Sequence, residues 1–507
     1  MKTARLSLVY ALLLLFCFTC PLPAQQAKKK NQAPKAIPLV ESVPENSSTK
    51  HTLQLDGKTI EYTATAGQMP IKNRNGEVEA YIFYIAYTLD KKNAATRPLT
   101  FAFNGGPGSA SIWVHMGGMG PRIARLLDNG DMPPPPFQLV DNQATWLDQT
   151  DLVFIDPVGT GYSRAKTEEI ARKYNGVQGD IQSVGEFIRL YIQHNQRWVS
   201  PLFIAGESYG TFRAAGLAGH LIDQGIAFNG ICLISTILDY GTVRATQNAT
   251  LPYSLFLPTY TADAWYHKKL PPDLQKRDLQ SVLKEAEHWA MAGYRAALDK
   301  GDRLSPSERR EVLDQLVRFT GLDRNYLDMN EMRFGVQQFT RQLLRDRKLT
   351  IGRLDGRLTG PSPLNAGETA EFDPSSTLIR PPFQAAYFNY LQTELKYNTD
   401  MTYYVSGGIA PWDYGVQNGY AETASALRNA FAKNPHMKVL VCASYYDLAT
   451  PYFAVQHTFS HMGLHPDMHK NISWRYYEAG HMMYIVRDCR AQLMRDMAEF
   501  IQGSVAK

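Results

Sequence analysis

Hydrophobic residues in this chain fall in short bursts whose period changes along its length. Residues 59–65 and 80–87 alternate or cluster β-branched and aromatic side chains, the pattern of antiparallel strands entering a sheet. Residues 99–103, 151–155, 202–205, 231–234 and 438–442 are instead apolar on both faces, and each run stops at a Gly-rich or Asp/Pro break. Short runs of this kind, separated by helix-like stretches, predict buried parallel strands with helical crossovers. The fold class is therefore α/β. From residue 239 to residue 400 the strand pattern thins and helical spacing takes over: Leu279, Val282, Leu283, Ala286 and Ala290 share one stripe. A further helix opens with Ser305 as cap, Pro306 in the first turn and Glu308 three residues after the cap, and Gly321 stops it. Strand-like sequence returns at Met437. The expected organisation is a core over 51–238, a mainly helical cap inserted over 239–400, and a second part of the core over 401–507.

The N-terminus has a different pattern. Lys2 and Arg5 precede an apolar run over residues 6–18, and Leu22, Pro23 and Ala24 form a small-residue cleavage site. The run is shorter than the roughly 20 residues that cross a hydrocarbon core, so residues 1–24 read as a signal peptide and not as an anchor. Export to a periplasmic or secreted location is expected, without stable membrane association. Residues 25–50, rich in Gln, Lys, Pro and Ser and free of apolar periodicity, suit a flexible leader.

With 44% hydrophobic and 20% charged residues, the 507-residue chain can bury a large core. A net charge of +5, with the basic residues scattered apart from Lys28, Lys29 and Lys30, gives no footprint for nucleic acid. Five cysteines, two of them in the signal, leave Cys232, Cys442 and Cys489. That is no disulfide framework, and buried free thiols are expected in place of a Cys442–Cys489 bridge.

Gly206, Glu207, Ser208, Tyr209 and Gly210 form a GxSxG pentapeptide between the apolar run 202–205 and an Ala-rich helical stretch. Strand, sharp turn and helix are the context in which this motif exposes a nucleophilic serine in an α/β-hydrolase fold. A serine hydroxyl needs a base and an acid that steadies the base. In this fold they follow in the order Ser, Asp, His, which nominates Asp447 after the run 438–442 and His481 in the loop Gly480, His481, Met482. An oxyanion needs two fixed donors. The Tyr209 amide is one, and the loop Asn104, Gly105, Gly106, Pro107, Gly108 after the run 99–103 supplies the other. That loop lacks the spacing of a dinucleotide or phosphate loop. His461, His465 and His469 lack the pattern of a metal site, so no metal and no organic cofactor is expected.

Together these motifs resemble the serine carboxypeptidases of the S10 type, through Asn104 to Gly108 with Gly120 and Pro121, Asp156 to Ser163, Gly206 to Gly210, Asp447 to Pro451, and Gly480 to Met482. The resemblance implies that Asn104, Gly105 and Glu207 bind the substrate's terminal carboxylate and that Gly106 joins Tyr209 in the oxyanion hole. Three positions depart from the family pattern: Ala102 replaces a Trp, Gly118 replaces a Glu that pairs with the carboxylate-binding Glu, and Ser109 replaces a Cys. The implied activity is release of C-terminal residues from a peptide with a free terminus, favoured in acid because a Glu meets a carboxylate without repulsion only when one of the two is protonated. An esterase or acyltransferase with the same triad is the alternative. A non-catalytic binding protein is a third reading, disfavoured by a complete set of catalytic residues.

Overall fold

The computed structural model describes residues 43–90 and 92–505. The expected signal over 1–24 and most of the expected leader lie outside the described residues. Its last four residues, 47–50, are already strand.

In chain order the strands are β1 (Ser47–Leu55), β2 (Lys58–Lys72), β3 (Val78–Leu89), β4 (Leu99–Phe103), β5 (Arg122–Ala124), β6 (Leu139–Asp141), β7 (Asp151–Ile155), β8 (Arg164–Ala165), β9 (Leu202–Ser208), β10 (Gly230–Thr236), β11 (Leu349–Ile351), β12 (Thr359–Pro361), β13 (Lys438–Ser444) and β14 (Ile472–Tyr477). The main sheet has the order β1-β2-β3-β7-β4-β9-β10-β13-β14, with β8 beside β3. β1, β2, β3 and β7 pair antiparallel. From β7 to β14 every pairing is parallel. β5 pairs with β6 and β11 with β12, each apart from the main sheet.

The central strands read as continuous apolar runs because each face of the sheet has its own core. Phe101, Ile204, Leu233 and Val441 pack on one face with the helices Val177–His194, Tyr209–Ile222 and Ala424–Lys433. Ala102, Phe203, Ala205, Ile234 and Cys442 pack on the other with the helices Arg380–Thr393 and Arg487–Ser504. Successive side chains on a strand point to opposite faces, so burial on both sides removes the polar alternation. This mixed, mostly parallel sheet with helices on both faces is the α/β-hydrolase fold.

The stretch between β10 and β13 is mainly helical, but it is not one body. Helices Leu251–Tyr266, Leu279–Trp289 and Pro306–Thr320 enclose a separate core around Leu257, Val282, Leu316 and Phe339. The helix Arg380–Thr393, within the same stretch, packs on the main sheet through Phe383, Tyr387 and Tyr390. The capping box is present in both directions: Ser305 Oγ accepts from the Glu308 amide at 3.3 Å and Glu308 Oε2 accepts from the Ser305 amide at 2.9 Å. Gly321 closes that helix at φ +65°. Cys232, Cys442 and Cys489 are buried and unpaired. No helix of the described residues is long and apolar enough to cross a membrane.

At the amino edge of the parallel strands Asp151 is buried between two arginines, with Oδ1 2.7 Å from Arg97 Nε and Oδ2 2.7 Å from Arg197 Nη1. Arg197 is 2% exposed, so truncating it leaves a buried carboxylate with one of its two arginines gone. Arg197→Ala is expected to lower unfolding stability by about 3–5 kcal/mol in denaturant titration, the cost of a broken buried pair.

Candidate active site

The carboxyl edge of the sheet gathers the residues singled out in the sequence. Ser208 ends β9, the Asn104–Gly108 loop follows β4 beside it, Asp447 follows β13, and His481 follows β14. Strand ends at this edge are where open α/β sheets bind ligands.

Ser208 is a non-glycine residue with φ 59° and ψ −130° at the turn into the helix Tyr209–Ile222. Such a conformation costs free energy and persists only where packing imposes it. The packing is backbone against backbone. A Cβ on Gly206 would lie 2.2 Å from the Gly210 carbonyl oxygen, and one on Gly210 would lie 2.9 Å from that of Phe103. Both flanking positions therefore require glycine, and the serine is lifted out at the edge.

His481 Nδ1 is 2.8 Å from Asp447 Oδ2. Asp447 is fully buried, and its carboxylate also accepts from the Ala449 amide at 2.8 Å, the Thr450 amide at 3.0 Å and Thr450 Oγ1 at 2.7 Å. Those donors hold the carboxylate in one orientation toward the imidazole. The His481 backbone is pinned twice: its amide donates to the Leu354 carbonyl at 2.5 Å, and its carbonyl accepts from Ser235 Oγ at 2.6 Å. Burial by itself lowers the imidazole pKa, but the Asp447 charge and hydrogen bond, aided by Glu207, raise it above its ordinary value. Ser208 and His481 line one cavity of about 220 Å³, with no hydrogen bond between them among the described residues. Catalytic hydrogen bonds of this kind often tighten only around substrate.

Glu207 is buried beside the serine. Its Oε2 accepts from Asn104 Nδ2 at 2.8 Å and from the Tyr484 hydroxyl, and its Oε1 lies 3.8 Å from His481 Nε2. Burial pushes its pKa up to about 7, against the lowering influence of His481, Tyr484 and Asn104. Asn104 is fixed in turn: its Oδ1 accepts from the Val114 amide at 3.0 Å, and its carbonyl from Arg213 Nη1 at 2.7 Å. Gly105 brings the loop against the elbow so closely that a Cβ there would sit 2.3 Å from the Tyr209 amide nitrogen. Gly106 follows at φ +103°. The Tyr209 amide, first in its helix, has no intrahelical acceptor. Asn104, Gly105, Gly106 and Glu207 line the same cavity as Ser208 and His481.

Sequence reasoning missed three groups. Tyr484 reaches Glu207 through space left by Gly118, where an added Cβ would lie 2.7 Å from Tyr484 Cβ. The departure at Gly118 was the signal, because an expected acid reduced to glycine leaves room for another donor. Thr450, within the matched segment, orients Asp447. Arg353 and Arg380 line the cavity from the inserted stretch, where no motif marked them. Ser109, the second departure near the loop, accepts from Trp113 Nε1 at 3.1 Å. No group of three or more His, Cys, Asp or Glu among the described residues is arranged to hold a metal ion.

Residues 57–289 match the serine carboxypeptidase family profile. Serine carboxypeptidase-like 46 of Arabidopsis thaliana is 27% identical over 172 residues, covering 32% of this chain and 34% of that protein. Retinoid-inducible serine carboxypeptidase of Mus musculus is 28% identical over 184 residues, 32% of this chain and 37% of that one. Pheromone-processing carboxypeptidase KEX1 of Verticillium alfalfae is 30% identical over 165 residues, 31% of this chain and 24% of its own length. The chain thus matches only 24% to 37% of the length of these relatives. Among solved structures, a highly thermostable carboxyl esterase from Bacillus coagulans superimposes with a TM-score of 0.34 at 13% identity, over 87% of this chain and 99% of that one.

Asp447→Asn would keep the packing but misorient the imidazole. Phosphonylation of Ser208 by a fluorophosphonate probe, followed by mass analysis, is expected to slow by roughly 10³–10⁴-fold.

Proposed function

We propose that this chain, whose residues 57–289 match the serine carboxypeptidase family profile, is a serine-type carboxypeptidase acting on peptides with a free C-terminus. The observation that carries the reading is Glu207: a buried carboxyl next to the candidate nucleophile, kept protonated up to about pH 7 and held by Asn104 and Tyr484 inside the cavity. A protonated carboxyl donates a hydrogen bond to a substrate carboxylate, which an ionised one would repel. A plain esterase has no use for that group.

In this reading the terminal carboxylate sits at Asn104, Gly105 and Glu207, and the last peptide carbonyl faces Ser208. The Ser208 hydroxyl oxygen attacks the carbonyl carbon while His481 Nε2 takes its proton, and Asp447 stabilises the imidazolium. The amides of Gly106 and Tyr209 receive the oxyanion. When the C–N bond breaks, His481 returns the proton to the leaving amine and a free amino acid departs. Water, deprotonated by His481, then hydrolyses the acyl-enzyme. No step calls on a metal or an organic cofactor. The basic, apolar and small-residue succession over residues 1–24 supports export before the enzyme works.

Incubating the chain with a peptide mixture should remove residues one at a time from the carboxyl end, read by mass analysis. Equal turnover of free-acid and C-terminally amidated peptides would overturn the reading in favour of an esterase or acyltransferase. The pH dependence tests Glu207 itself. With Glu207 neutral below about pH 7 and ionised above it, the KM for a free-acid peptide should rise as pH passes upward through that value. Glu207→Gln, which cannot ionise, is expected to leave KM flat between pH 5.5 and pH 8.5.

A further inference from the structure

The inserted stretch contributes two cations to the catalytic cavity. Arg353 comes from the turn after β11, and Arg380 opens the helix Arg380–Thr393; both line the cavity that holds Ser208, Glu207 and His481. Both are exposed side chains, and neither guanidinium is paired with a carboxylate among the described residues. Arginines elsewhere in the chain are commonly engaged, as Arg97, Arg197, Arg213 and Arg357 are with buried acids. Position argues the same way. An arginine in the first turn of a helix stands against the positive end of the macrodipole, so Arg380 gains nothing from its own helix. The charge of Arg353 is felt at the imidazole, where it counts among the influences lowering the His481 pKa.

The charged side chains lining the cavity are then Arg353, Arg380, His481 and Glu207, and Glu207 carries no charge in acid. A guanidinium offers a planar fork that matches a carboxylate in two parallel hydrogen bonds. We propose that Arg353 and Arg380 form a carboxylate-recognising wall of the catalytic cavity, so that the preferred substrates are peptides carrying an anionic group next to the reacting bond. This rests on the reading of the Ser208 cavity as the peptide site, and it names the substrate class that site selects. A peptide carries the chemistry in two places, an acidic side chain near its end and the terminus itself; since Asn104, Gly105 and Glu207 take the terminus in that reading, the wall is left for the side chain.

Titration calorimetry on the full chain separates them. Ser208→Ala prevents turnover, and four otherwise identical peptides end in Glu or Gln, each as free acid or amide, at pH 6 and low salt. The peptide with both carboxylates is expected to bind at least about tenfold more tightly than the one with neither, in the range of one charge-assisted hydrogen bond. Adding Arg353→Gln and Arg380→Gln should erase the Glu-over-Gln part of that preference to within about twofold while leaving the acid-over-amide part, and the corresponding Lys pair, which keeps the charge but not the fork, should retain some of the Glu-over-Gln part. Loss of the Glu-over-Gln preference alone assigns the wall to the acidic side chain; loss of the acid-over-amide preference in its place would put the terminus on the arginines and overturn the proposal. Equal affinities for all four peptides, no binding by any, or a preference untouched by either pair of substitutions would overturn the proposal. The carboxypeptidase reading fails separately, if the chain with Ser208 intact binds these peptides in the same order and releases no residue from them.

Discussion

The active-site geometry depends on a contact that has no side chains in it. The loop after β4 and the turn after β9 touch through their backbones, at separations that forbid a Cβ on Gly105, Gly206 or Gly210. Because the two strands are parallel neighbours, their ends arrive at the same edge, and only glycine lets the loop close onto the turn. The positive φ of Ser208, its place on the cavity wall and the nearness of the Gly105–Gly106 backbone to the Tyr209 amide are consequences of that one approach. Arg213 reinforces it: ion-paired with Asp180 at 2.8 Å, it donates to the Asn104 carbonyl, tying the loop to the helix that starts at the nucleophile. Substitution at any of the three glycines would separate these groups together.

The histidine is held by a different part of the chain. Gly480 lies against Leu354 and Asp355, with no room for a Cβ. Asp355 accepts from the Gly480 amide at 3.1 Å, and Arg357 pairs with Asp355 while donating to the Glu478 carbonyl at 2.6 Å. The stretch between β10 and β13 therefore does two things at once. It clamps the loop that presents the imidazole, and through Arg353 and Arg380 it lines the cavity. Exchanging this segment to alter specificity would disturb the base as well, whereas point changes at the two exposed arginines leave the clamp alone.

The strands that are buried on both faces could be read from the sequence, and β4 and β7 match their apolar runs residue for residue. The edge strands could not. β14 keeps Ser473 exposed and Arg475 half-exposed, and β1 alternates Ser48, Lys50, Thr52 and Gln54 into solvent, so neither has a continuous apolar run. The end of the leader was misplaced for that reason. At the site, residues in fixed backbone settings were legible because the GxSxG turn and the glycine-rich loop demand particular residues at particular spacings. Tyr484, Arg353 and Arg380 were not, because their role follows from where separate segments meet in space. Tyr484 belongs with Gly118, 366 residues earlier in the chain, and no local pattern connects them.

The exchange of an acid for glycine and a tyrosine changes how the site holds protons. Two carboxyls facing each other titrate as a coupled pair, sharing one proton over a wide range. Here Glu207 has only neutral donors on its Oε2, Asn104 and Tyr484, and its remaining oxygen faces the imidazole at 3.8 Å. The proton on Glu207 is thus coupled to His481 in place of a second acid. Glu207 is one of the groups that raise the histidine pKa, so protonating it removes part of that rise and frees the imidazole to act as a base at lower pH. In the carboxypeptidase reading, the condition that would suit a substrate carboxylate, a neutral Glu207, would also help to keep the base unprotonated. Binding and proton transfer would then be tuned in the same direction by one buried carboxyl, and that coupling needs no second acid at position 118.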